Sequence, residues 1–110
     1  MNREKELLYR FIATKRIRGK WMREVPINRL NGKDPWENCL GFRIDAVCIA
    51  LDGTLWLIEV KRELTRELLG QILTDSYLVH SKHRKAVIVD EVDQQMEEIF
   101  RHYNIEVFEV

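Results

Sequence analysis

The chain is poor in residues that cross-link or interrupt a backbone, with two cysteines, two prolines and five glycines in 110 positions. Cys39 and Cys48 show no CxxC spacing, so neither a structural zinc site nor a disulfide framework is indicated. Cys48 falls inside an apolar run and reads as a small buried hydrophobe. No repeat, low-complexity tract or Gly/Ser-rich linker breaks the chain, and residues 1–110 read as one domain with one core. No apolar stretch approaches the roughly 20 residues of a membrane span. The opening Met-Asn-Arg-Glu-Lys-Glu lacks a signal-peptide core, so the expected location is the cytoplasm.

Net charge is also missing, since 18 Lys and Arg balance 18 Asp and Glu. The balance hides an asymmetry. Residues 1–33 carry ten basic side chains against Glu4, Glu6 and Glu24, a formal +7, and the remaining 77 residues carry −7. A basic half on a neutral protein is compatible with a phosphate-binding face, and equally with a solvated helix and loop. Lys15, Arg16, Arg18, Lys20 and Arg23 are the candidates for contacts to a nucleic-acid backbone, with Arg62 further along.

Periodicity supplies the elements. Leu7, Leu8, Phe11 and Ile12 recur at helical spacing between about Arg3 and Lys15, and Gly19 marks an end. Residues 21–30 fit an irregular edge strand, because Pro26 is tolerated at an edge and not centrally. Asn31 to Pro35 read as loop. Two β-rich runs, 43–51 and 54–61, flank an Asp-Gly turn. Thr65 offers an N-cap to a helix over 66–80 with Leu68, Leu69, Ile72, Leu73 and Leu78 on one face. A buried strand follows at 85–90. Asp93 caps a helix with Met96, Ile99, Phe100 and Tyr103 inward, and residues 105–110 alternate as a half-exposed edge strand. The order α-(β)-β-β-α-β-α-β predicts an α/β domain with a mixed sheet, a central hairpin and flanking helices.

The hairpin carries charges at its far ends: Asp45 in the first run, Glu59 and Lys61 in the second. Charged groups are almost never fully buried without a partner or a metal. Glu59 and Lys61 share one face of a strand whatever the turn. Asp45 stands opposite Glu59 only if the loop has an odd number of residues, as in Leu51-Asp52-Gly53 with Gly in the left-handed position of a bulge. Two carboxylates that close must share a proton or bind a cation. All-oxygen ligands fit Mg²⁺ or Mn²⁺ rather than zinc. Lys61 then sets an ammonium beside the cation, suited to orient water or offset phosphate charge. The other reading of the trio is an ion-pair cluster at the sheet's rim; against it, exposed pairs stabilise by only ~0–1 kcal/mol, a weak reason to interrupt such apolar strands.

Ile44-Asp45, thirteen residues, then Glu59-Val60-Lys61 resembles the signature of the PD-(D/E)XK nuclease superfamily. The family core, a helix, a three-strand meander, a helix and a strand, is similar to the order above over roughly residues 3–90. The resemblance implies a restriction-endonuclease-like fold and a Mg²⁺- or Mn²⁺-dependent deoxyribonuclease. Asp45 and Glu59 would be ligands, joined by the carbonyl of Val60, with Lys61 catalytic. Many members add a glutamate from the first helix; here Glu4 shares the stripe of Leu7, Leu8 and Phe11, while it also sits where an acidic residue favours the helix dipole. Glu4 to Leu8 resembles the first helix of archaeal Holliday-junction resolvases. Some branches place a glutamine on the following helix, which is Gln71 here, with a tyrosine four residues later. This chain has Tyr77, six later. The nominal proline before the first acid is Ile44.

The implied activity is hydrolysis of DNA phosphodiesters, structure-selective in the manner of a resolvase, or of nicking, exonuclease or restriction type. Cutting two strands needs two copies, so a homodimer is the expected assembly. No helix-turn-helix is evident, and strong base specificity is not expected. The alternative is a non-catalytic domain that keeps the nuclease fold and binds nucleic acid or protein. His80, His83 and His102 read as solvated surface histidines. Trp21, Trp36 and Trp56 read as core or interface residues, with Trp36 the one to test against DNA or in a dimer.

Overall fold

The computed structural model describes residues 2–34, 37 and 41–110; Pro35, Trp36 and Cys39 lie outside the described residues. The elements are α1 (Arg3–Ala13), β1 (Gly19–Pro26), α2 (Ile27–Leu30), β2 (Arg43–Ala50), β3 (Leu55–Val60), α3 (Arg66–Leu78), β4 (Arg84–Val89), α4 (Gln94–His102) and β5 (Ile105–Glu109). The strands form one sheet in the order β1-β2-β3-β4-β5. The first two pairings are antiparallel and the last two parallel, with α3 and α4 as the crossovers. This is the mixed α/β architecture the sequence predicts.

Both faces of the sheet are covered, which explains why β2, β3 and β4 read as continuous apolar runs. On one face Val47, Leu57 and Val87 pack with Leu68 and Ile72 of α3 and Phe100 of α4. On the other, Ala46, Ile58 and Ile88 pack with Leu7, Leu8 and Phe11 of α1. Cys48 is buried in that second layer, and burial raises its thiol pKa. Phe11 also meets Trp21 edge-on and Phe108 at 4.7 Å.

Local chemistry fixes the helix starts. Asn2, Thr65 and Asp93 each accept a hydrogen bond from the backbone N–H three residues on, satisfying a donor the helix leaves free. The end of α1 differs from expectation. The helix stops at Ala13, and the left-handed residue after it is Lys15 (φ 59°) rather than Gly19. Gly19 instead opens β1. An added Cβ there would lie 2.1 Å from the Ile49 carbonyl oxygen, so only glycine lets the edge strand approach β2. That strand ends at Pro26 and passes into the short turn of α2, a helix the sequence did not signal. In α4 the inner face is narrower than the pattern predicts: Phe100 is buried, whereas Ile99 and Tyr103 are exposed.

The β2–β3 hairpin bears out the parity argument. Ala46 pairs with Ile58, Val47 with Leu57, Cys48 with Trp56 and Ile49 with Leu55. The loop is Leu51-Asp52-Gly53, closed by Ala50 N–H to the Thr54 carbonyl at 2.9 Å, with Gly53 at φ 88°. Asp52 accepts from the Thr54 N–H at 2.9 Å, and that bond lowers its pKa.

Candidate active site

Asp45 lies one residue beyond the last ladder pair, where the register sets it opposite Glu59. Its Oδ2 accepts from the Val60 N–H at 2.9 Å, so one carboxylate oxygen is tied to the partner strand. Glu59 closes the buried part of β3 and is 0% exposed. Its Oε2 accepts from Nε2 of Gln71 on α3 at 2.9 Å, and its Oε1 has no partner among the described residues. Gln71 is therefore where the sequence pattern required it to be, holding one oxygen of the glutamate.

Lys61 and Glu4 also meet. Lys61 follows the last residue of β3, and its Nζ is 3.6 Å from Oε1 of Glu4 on α1. The ammonium thus turns toward the α1 side of the sheet rim instead of simply following Glu59. A small cleft of about 80 Å³ opens at this end of the sheet, lined by Glu4, Arg23, Glu24, Asp45 and Val60 among others. Glu59, fully buried, lies behind it. Glu24 stands in β1 between the pairs Arg23–Ala46 and Val25–Ile44, facing Asp45, with a φ of 52°. The ladder skips that position, and non-glycine residues in this conformation often gather at functional sites. Helix α1 is anchored here by Arg3, whose Nε and Nη2 reach Asp90 Oδ2 at 3.0 and 2.8 Å. Glu6 points away from the site and pairs with Arg3 and Arg10.

Asp75 is the residue that sequence reasoning missed. It is 3% exposed on α3, and its Oδ2 lacks a partner among the described residues. Burial, then the adjoining Asp75 and Asp45 carboxyls, push the Glu59 pKa up to about 12. Asp75 is raised as well, chiefly by burial, with the Asp45 charge adding to it. The signal was present. Asp75 is four residues after Gln71, the position where the resembled branches carry tyrosine, and seven after Leu68 on the buried stripe. Tyr77 is 86% exposed and takes no part.

This architecture has a counterpart among solved structures. The fold is shared with a repair endonuclease. The crystal structure of a repair endonuclease from Pyrococcus abyssi superposes with a TM-score of 0.72 at 15% identity, covering 100% of this chain and 47% of the other. The chain thus spans about half the length of that endonuclease. Neither a family model nor a curated protein matches the sequence.

The donor set at this end of the sheet is all oxygen, and a buried carboxylate oxygen without a partner is chemistry that fits a hard divalent cation. Among the described residues, no group of three His, Cys, Asp or Glu side chains stands at ligand separations. The fit therefore rests on the Asp45–Glu59 pair and the free oxygens. No helix among the described residues is long and apolar enough to cross a membrane.

The basic candidates divide. Arg23 lines the cleft, with its guanidinium 5.6 Å from the Tyr9 ring centroid and bonded to the Tyr9 hydroxyl. Arg62 is exposed beside Lys61. Lys15, Arg16, Arg18 and Lys20 are exposed at the other end of the sheet, where Lys20 pairs with Ile49 and the Arg18 carbonyl accepts from Leu51. Five strand residues separate Ala50 from Asp45, or about 17 Å. Of the histidines, His80 and His102 are exposed, but His83 is half-buried, with Nε2 2.6 Å from Ser76 Oγ and Nδ1 2.6 Å from the Ser81 carbonyl.

Proposed function

We propose that this chain is a metal-dependent DNA endonuclease of the PD-(D/E)XK type, using Mg²⁺ or Mn²⁺ and acting as a homodimer on branched or otherwise structured DNA. The observation that carries this reading is Glu59: a fully buried carboxylate facing a second one across a hairpin, with a free oxygen and a glutamine fixing the other. A domain with a mere rim ion pair would leave these groups in water, and burial of unpaired carboxylates is too costly to persist without use.

Asp45 and Glu59 would hold the cation, with the Val60 carbonyl and Glu4 at its margin. When bound, such a cation acidifies a coordinated water and offsets charge building on the phosphate. Lys61 would hold that water or a phosphate oxygen by its ammonium, and Glu4 at 3.6 Å keeps the long side chain at the rim. Gln71 fixes the Glu59 carboxylate so that its orientation needs no rearrangement on binding. Water adds to phosphorus, the P–O ester bond breaks, and the products are a phosphomonoester and a free hydroxyl. Arg23 and Arg62, near the cleft, would take the flanking phosphates.

The test is a cleavage panel of supercoiled, linear, single-stranded and four-way-junction DNA with Mg²⁺, Mn²⁺ or EDTA. Cleavage should require the cation and vanish in Lys61→Ala while DNA binding persists. If no DNA form is cut under any condition, the chain is a non-catalytic binding domain; Lys61→Ala cutting at the wild-type rate would refute the assignment of Lys61.

A further inference from the structure

Asp75 has no role in the reading above, yet its position is hard to explain as structure alone. It lies on the buried stripe of α3, between Ile72 and Val79, both in the core. An apolar side chain there would simply extend that layer. Instead the position holds a carboxylate 3% exposed with an oxygen that no described residue satisfies. Gln71, one helical turn earlier on the same face, reaches Glu59 at 2.9 Å, and residues at i and i+4 stand roughly 6 Å apart. Asp75 is thus brought beside the Glu59 carboxyl, whose own Oε1 is equally unpartnered. Leaving two buried acceptors side by side costs far more than either an apolar pair or a bridged one.

We propose that Asp75 is a further residue of the cation site, and that the free oxygens of Glu59 and Asp75 together draw the divalent cation inward from the cleft. The pair of oxygens comes from two elements, β3 and α3, so the cation would also fasten the crossover helix to the sheet. The inference rests on the metal-dependent reading of the site, and it assigns to α3 a carboxylate where the resembled branches have a tyrosine.

Calorimetric titration of the metal-free protein with Mn²⁺ alone, paired with melting curves in EDTA and in Mn²⁺, tests it. Asp75→Asn should weaken Mn²⁺ binding at least tenfold and lose most of the Mn²⁺-induced rise in Tm. In EDTA its Tm should equal or exceed that of the parent, because a strained acceptor has been removed. Asp75→Ser, smaller and without an amide, should do the same. Wild-type affinity in either variant overturns the proposal. So does a fall in Tm for both variants in EDTA, since the carboxylate would then be a structural partner. Binding that is lost in Glu59→Gln and kept in Asp75→Asn overturns this inference and spares the metal-dependent reading; a parent protein that binds no Mn²⁺ overturns both.

Discussion

The two ends of the sheet handle charge in opposite ways. At the end where β2 enters and β3 leaves, Asp45, Glu59 and Asp75 draw carboxylates together, two of them out of water, under a single amide donor from Gln71. At the hairpin end Lys15, Arg16, Arg18 and Lys20 are spread in solvent, and Arg84 lies over the Trp56 ring at 4.4 Å. Burial makes the acidic end costly and specific. Exposure makes the basic end undemanding and general, able to attract any polyanion. A chain of zero net charge thereby keeps a polar axis along its strands, and only the buried end commits to a particular chemistry.

The largest expected effect breaks the acidic end. Asp45→Ala should lower cleavage by roughly 10³-fold or more, as loss of a principal electrostatic group does, with an unchanged circular-dichroism spectrum as the check on folding. Gln71→Ala should cost about 10–100-fold in activity or cation affinity, the range for a residue that orients a ligand. The basic end is addressed by changing Lys15, Arg16, Arg18 and Lys20 together to Gln. If they hold phosphates, affinity in EDTA falls and the slope of log K against log salt drops by about 0.9 for each phosphate no longer neutralised. An unchanged slope would confine DNA to the Arg23 and Arg62 side.

A smaller effect concerns stability. Glu59 has a folded pKa raised far above its ordinary 4.5 by burial and the neighbouring carboxyls. Stability from the neutral acid is therefore complete below about pH 4.5 and is lost progressively as pH rises toward the folded value. Urea unfolding in EDTA should show the parent weakening between about pH 5 and pH 8, because the unfolded chain releases a proton there that the folded one keeps. Glu59→Gln should flatten that decline. Tyr77→Ala, at the exposed side of α3, should change neither activity nor stability measurably.

Asp45, Glu59 and Lys61 were legible because a carboxylate or ammonium violates the apolar pattern of a covered strand, and parity alone then fixed the hairpin register. Gln71 and Glu4 followed from helical spacing. Asp75 violated its own pattern just as clearly, but the expectation of a tyrosine at that spacing masked the acid that occupies it. The basic cluster failed differently. Lys15 to Arg23 are neighbours in sequence, yet a strand carries them from one end of the sheet to the other, so Arg23 joins the cleft and Lys20 does not. The close of α1 on Lys15 rather than Gly19 was hidden because glycine there answers to a strand contact, not to a helix end.

The Arg3–Asp90 ion pair spans 87 residues of chain, and with it α1 closes a very long loop of the fold. All five strands are linked to one another by backbone hydrogen bonds, whereas among the described residues α1 is joined to them by side chains. Opening of α1 as a unit is the least costly way to expose the site without melting the sheet. We expect the amides of Leu8 and Phe11 to exchange with deuterium faster than those of Leu57 and Ile58, and Asp90→Asn to widen the gap. Such an opening would carry Glu4 away from Lys61 while Asp45 and Glu59 stay in place, giving the protein a hinged wall through which a large substrate can reach a buried carboxylate.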